Sequence, residues 1–148
     1  MIQLTAHFNL SEFIVSAERP DLAALISVSD VQRERMRCIA AYTLEPVRRH
    51  FGPVIILSGI RSPELNEAIG GSRNSDHMYR ANSGAVDFTV PGVSDMRDVF
   101  DWIRLNAPVF KQCIIYPTRR FIHISCPDDT GRYGEALEWR GSNQYVPV

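Results

Sequence analysis

Four histidines occur in the 148 residues: His7, His50, His77 and His123. His123 sits in FIHIS, residues 121–125, where strand alternation puts Phe121, His123 and Ser125 on one face and Ile122 and Ile124 on the other. Asp87 sits in AVDFT, residues 85–89, and shares a face with Ala85 and Thr89. An aspartate in an apolar strand needs a partner or a cation, because burying an unpaired carboxylate is costly. His77, in the polar segment SDHM, lies just upstream and can reach over the same sheet face. Two imidazoles and a carboxylate form a set that holds catalytic zinc and leaves the fourth position to water or substrate. Such an ion lowers the pKa of water toward about 7 and polarises a carbonyl. The plain alternative is a hydrogen-bonded core histidine at 123 and a turn-capping aspartate at 87; spacing alone does not separate the two.

The elements that must position these groups can be read from periodicity and breakers. Residues 9–16, NLSEFIVS, predict a short turn or helix capped by Asn9 or Ser11. A helix is expected from about Asp30 to His50, capped by Ser29 or Asp30, with Val31, Ile39, Tyr42, Val47 and Phe51 at helical spacing. Pro46 inside it predicts a kink or a shift of register, and Gly52-Pro53 an end. VIILSG, residues 54–59, reads as a buried strand. SPELNEAIGG, residues 62–71, reads as a short helix with Pro63 in its first turn, and residues 72–83 as an irregular loop. After the strand at 85–90, Ser94 caps a helix through about Asn106, with Val99, Trp102, Ile103 and Leu105 inward. QCIIY, residues 112–116, pairs with FIHIS through PTRR, and one more strand is expected near Ala136–Trp139. The order predicts an α+β fold, a mostly antiparallel sheet flanked by helices. No repeat or linker interrupts it, so 1–148 reads as one domain.

Hydrophobic residues make up 45% and charged residues 22%, ordinary for a globular chain. The net charge of -1, from 16 basic and 17 acidic side chains, gives no electrostatic ground for nucleic-acid binding. Cys38, Cys113 and Cys126 form no CxxC pair and are odd in number; they read as buried or half-buried free thiols, in keeping with a reducing compartment. MIQLTAHFNLSEF is not a secretory signal, and no apolar stretch approaches the roughly 20 residues of a membrane span. Cytoplasmic synthesis without membrane insertion is therefore expected.

Taken together, SGIRSPELNEAIGGSRNSDHM, SGAVDF and FIHIS resemble the zinc D-Ala-D-Ala carboxypeptidases, peptidase M15, in their short phage and bacterial branch. NLSEF, LEPVRRHFG and the QCIIYP strand add to the likeness, which runs from about residue 7 to 126. The resemblance implies a DD-peptidase or hedgehog-like fold and Zn2+ held by His77, Asp87 and His123. It makes Arg61 the arginine that grips a substrate carboxylate or carbonyl, and Ser75 a group hydrogen-bonding beside the metal. Their plain alternatives are a surface arginine after a strand and a loop cap. The implied substrate is the peptidoglycan stem peptide. The implied contexts are phage lysis, phage entry and wall remodelling, with a holin-released endolysin or a virion part suiting a chain without a signal.

Two departures from the family pattern stand out. The spacer MYRANSGAV is longer than usual by about three residues, a cheap insertion if it bulges outward, and Ser83 stands where glycine is expected. Tyr116 occupies the place of a glutamate that serves as general base. A phenol with pKa near about 10 is a poor base at neutral pH, although it can donate to an oxyanion. Asp76, Asp128 and Glu135 are the nearby carboxylates that could substitute, whereas Glu64 and Glu67 read as helix surface. Two functions follow: a zinc-dependent peptidoglycan peptidase, or a catalytically impaired module of the same fold that binds wall or phage structural proteins. Tyr79 and Trp139 are candidate cleft aromatics, and Trp102 reads as core.

Overall fold

The computed structural model describes residues 2–80, 82–106 and 109–148. A 3-10 turn at Leu10–Phe13 opens the chain, with the Glu12 carboxylate accepting from the Asn9 amide at 2.8 Å. The short helix α1, Pro20–Ala23, leads to α2, Asp30–Ile39, whose Ser29 cap and Gln32 bond each other's backbone reciprocally. The chain then widens into a π segment, Ala40–Leu44, before α3, Glu45–Phe51. Pro46 has no N–H to give and its ring crowds the carbonyl four residues back; the wider turn just before it accommodates both, as the shift of register expected there. Gly52, at φ +104°, closes α3. The buried stripe runs through Met36, Ile39, Ala40, Thr43, Leu44 and Val47. Val31 and Tyr42 fall outside it and are exposed, contrary to the spacing argument: Val31, in the first turn of α2, lies off the face of Met36 and Ile39, and Tyr42 lies inside the π turn, whose wider winding shifts the phase.

Strand β1, Ile55–Ser58, is followed by α4, Pro63–Ala68, with Ser62 as N-cap. Then come β2, Ala85–Thr89, α5, Met96–Asn106, β3, Gln112–Tyr116, β4, Phe121–Ser125, β5, Glu135–Trp139, and β6, Tyr145–Pro147. The start of α5 is capped by Asp95, which accepts from the Arg97 amide at 2.9 Å, rather than by Ser94. Leu105 points outward, while Val99, Phe100 and Ile103 are buried and Trp102 stacks on His50.

These strands form one sheet of order β1-β2-β4-β3-β5-β6, antiparallel except for the β3–β5 pair. The architecture is α+β, as expected. Val86, Phe88, Cys113, Ile115, Ile122 and Ile124 line the face that packs on Phe8, Phe13, Met36, Leu44, Val99 and Ile103. β1 is an edge strand and only half-buried: Ile56 faces the core, while Ile55 and Leu57 are exposed, which corrects the expectation of a fully buried strand. The three cysteines are free thiols, two buried and one partly so. Among the described residues no helix is long and apolar enough to cross a membrane.

Register places the chemistry. Ser58, Asp87, His123, Ile114 and Leu137 are successive partners in one row across five strands, on the face opposite the core. Ala85, Ser125, Gln112 and Glu135 form the next row, and Tyr116 lies opposite Phe121 in the row beyond His123.

Candidate metal centre

Asp87 and His123 are direct cross-strand partners, so their side chains leave the sheet side by side. His77 comes from above, on a 3-10 turn, Asp76–Met78, whose start is capped by Ser75 accepting from the His77 amide at 3.2 Å. Two bonds to the end of β1 hold that turn: the Arg61 amide donates to the His77 carbonyl at 2.7 Å, and His77 Nδ1 donates to the Gly59 carbonyl at 2.8 Å. Tyr79 follows in the left-handed region at φ +51° and is buried, its hydroxyl donating to the Ala85 carbonyl. It therefore underpins the loop and does not line the cleft. The longer spacer is tied down further along, where Ser83 is buried and Asn82 donates to Asp129.

The Gly59 carbonyl can only accept, so Nδ1 of His77 carries the proton and Nε2 presents a lone pair. That lone pair faces Asp87 Oδ1 at 3.2 Å and His123 Nδ1 at 3.2 Å, and the latter two lie 2.9 Å apart. Three electron-pair donors thus converge with at most the one proton of His123 Nδ1 among them. Two ligands each about 2.0–2.1 Å from a tetrahedral zinc lie about 3.3–3.4 Å apart, so the set fits such an ion with a slight expansion. His77, Asp87 and His123 are the group among the described residues able to hold a metal ion. Burial holds the His77 imidazole below its ordinary pKa, and so neutral, as a ligand must be. Burial works against ionising Asp87, but the adjacent His77 and His123 outweigh it and keep the carboxyl well below the usual range.

Arg61 packs beside this group with its guanidinium 3.7 Å from Asp87 Oδ2, and donates to Ser58 Oγ and Asn66 Oδ1, each at 3.3 Å. Tyr116 stacks on Phe121 at 4.4 Å between centroids, lies against Trp139, and shares a hydrogen bond with the Tyr145 hydroxyl at 3.1 Å. Burial, then that bond, pushes its phenol further above its ordinary pKa, so it is a proton donor and not a base. Of the three substitute carboxylates, Asp76 and Asp128 both bind Lys111 Nζ, at 3.0 and 2.7 Å, and Glu135 accepts from Gln112 and Arg132. His77, Asp87, His123, Arg61, Asp76, Lys111 and Tyr116 open on one cleft of about 1100 Å³. It runs from Glu18 and Gly71 at one end to Trp139 and Tyr145 at the other. Of the two candidate cleft aromatics, Trp139 lines it. Lys111 and Asn66 were not singled out from the sequence; a lysine opening the apolar run KQCIIY was the signal available for the first.

The fold and site define an α+β domain with a His/Asp/His group able to hold a metal ion on the sheet face opposite the core. The family model described as Peptidase M15 matches residues 6–125, and the chain belongs to that family, whose members are metallopeptidases that typically use zinc. The match contains His77, Asp87, His123, Arg61, Ser75 and Tyr116, and ends at the last residue of β4. No curated protein and no solved structure matches the chain.

Proposed function

We propose that the chain is a zinc-dependent peptidase acting on the stem peptides of peptidoglycan, with His77, Asp87 and His123 as metal ligands and Arg61 as the substrate-orienting residue. The observation that carries this reading is the convergence of His77 Nε2, Asp87 Oδ1 and His123 Nδ1 on the floor of a large cleft, in a chain of the peptidase M15 family. Zinc bound there supplies a Lewis acid for the scissile carbonyl and acidifies water. Gly59 sets the tautomer and ring orientation of His77, and Ser75 holds the turn that delivers it. Ser58 and Asn66 fix the Arg61 fork, whose remaining N–H groups suit a carboxylate of the stem peptide. Tyr116 keeps its proton and closes the aromatic end of the cleft. Because the cleft extends to both sides of the metal ligands, it suits a peptide held across the metal and cut internally better than removal of a terminal residue.

A second reading is favoured by one observation. Tyr116 replaces the expected glutamate and is stacked into an aromatic cluster, while Asp76, Asp128 and Glu135 are all engaged by cations or amides. On that reading the cleft binds wall peptide, or packs against phage structural proteins, without turnover.

Metal analysis and muropeptide digestion, with His123→Ala as control, distinguish the two. The peptidase reading expects about one zinc per chain and release of peptide products that stops with a chelator. Both are lost in the control. Zinc without product release, together with retention on purified sacculi, supports the binding module. No zinc after incubation with it refutes the metal site.

A further inference from the structure

The cation nearest the His77 turn takes no part in the chemistry just described. Lys111 is buried, and its backbone is held from both sides: its amide donates to the Ser125 carbonyl at 2.8 Å, and its carbonyl accepts from the Glu135 amide at 3.1 Å. Its side chain crosses from the sheet to Asp76, the residue immediately before His77, at 3.0 Å. It also reaches Asp128, on the segment after β4, at 2.7 Å. All three side chains are largely shielded from solvent, at 9%, 16% and 6% exposure, so the two contacts are little screened.

We infer that Lys111 is a positioning residue for the metal centre, one that clamps the His77 turn to the sheet carrying His123. The turn is anchored on one side by Gly59 and Arg61 at the end of β1. Lys111 supplies the opposite anchor, from the start of β3. Without its charge, Asp76 and Asp128 become two neighbouring carboxylates whose repulsion drives the turn away from β4, carrying His77 Nε2 out of reach of Asp87 and His123. Lysine suits the place because one compact ammonium serves two carboxylates in different directions.

This inference rests on the metal-site reading, and the test keeps the two apart. Zinc affinity is measured by chelator competition for the wild type, Lys111→Met, Lys111→Arg and Asp76→Ala, alongside the melting temperature of each metal-free protein. Lys111→Met is expected to weaken zinc binding by about 10- to 100-fold, the usual cost of losing an outer-shell partner, with Lys111→Arg, which keeps the charge but not the compact geometry, recovering only part of it. A group that only stabilises the fold would lower the melting temperature and leave the affinity of the folded protein unchanged. Folded Lys111→Met with wild-type zinc affinity overturns the inference. Should that variant not fold, Asp76→Ala, which removes the acceptor on the turn and leaves Lys111 paired with Asp128, is expected to weaken zinc in the same direction, and wild-type affinity there overturns it equally. Absence of zinc binding by the wild type removes the metal site itself, a distinct failure.

Discussion

At the residue scale, the centre is defined by which atoms carry protons. Gly59 takes the Nδ1 proton of His77, which leaves Nε2 to face two other electron-pair donors. The folded chain resists protonating His77, whereas the unfolded chain protonates the same ring below its ordinary 6.5. It also keeps Asp87 ionised well below the ordinary 3.8. The unfolded state therefore binds more protons in acid, and stability falls as pH falls. The His77 contribution is complete above 6.5 and is lost as the pH drops below it; that of Asp87 is complete above 3.8 and is lost in stronger acid. Urea titrations of the metal-free protein should show a midpoint that declines from about pH 7 to about pH 5, with a smaller decline in His77→Gln. A wild-type midpoint that is flat over that range would contradict the burial of a neutral His77.

At the scale of elements, the site depends on how closely the end of β1 approaches the N-terminal turn. A Cβ on Gly59 would lie 2.1 Å from the Phe13 carbonyl oxygen, and the same residue's carbonyl orients His77. Gly59→Ala should cost about 2–3 kcal/mol, read as a lowered urea midpoint, because backbone must move to admit the methyl. Gly92→Ala, where the added atom meets nothing within 4 Å, should change stability by no more than about 0.5 kcal/mol. Much of this level was legible in sequence: the strands at 85–89, 112–116 and 121–125, the Pro63 helix and the break around Pro46 follow from alternation and from the missing N–H of proline. The helical spacing read through Tyr42 failed because an unbroken period was carried into a π turn that shifts the phase, and Val31 failed because its place in the first turn of α2 is off the Met36–Ile39 face. β6 is three residues long, too short for a periodic signal, and forms because β5 offers it an edge.

At the scale of the whole molecule, the candidate metal group joins a loop turn to two strands, with its donor residues 10 and 36 apart along the chain. Zinc bound to such a set favours only the folded state. At a free concentration about a thousand times its dissociation constant it should add about 4 kcal/mol, which raises the melting temperature by about 8–16 °C for a chain of this size. A thermal melt with and without chelator checks this, and His123→Ala should be insensitive to the treatment. A chelator-independent wild-type melt would mean that the three donors hold no ion.

The sequence by itself determined the donor types, the strand faces and the family pattern, because alternation assigns His123 and Asp87 to a face regardless of what lies beyond it. It also determined that Tyr116 is no base, since that follows from phenol chemistry. Tertiary structure alone decided that β2 and β4 are neighbours in register, so that Asp87 stands beside His123. It decided that the His77 turn folds back over both, that Tyr79 is underpinning and Trp139 cleft wall, and that Lys111 joins Asp76 to Asp128. These are contacts between residues far apart in the chain, set by strand order and core packing, and no local period or propensity encodes them.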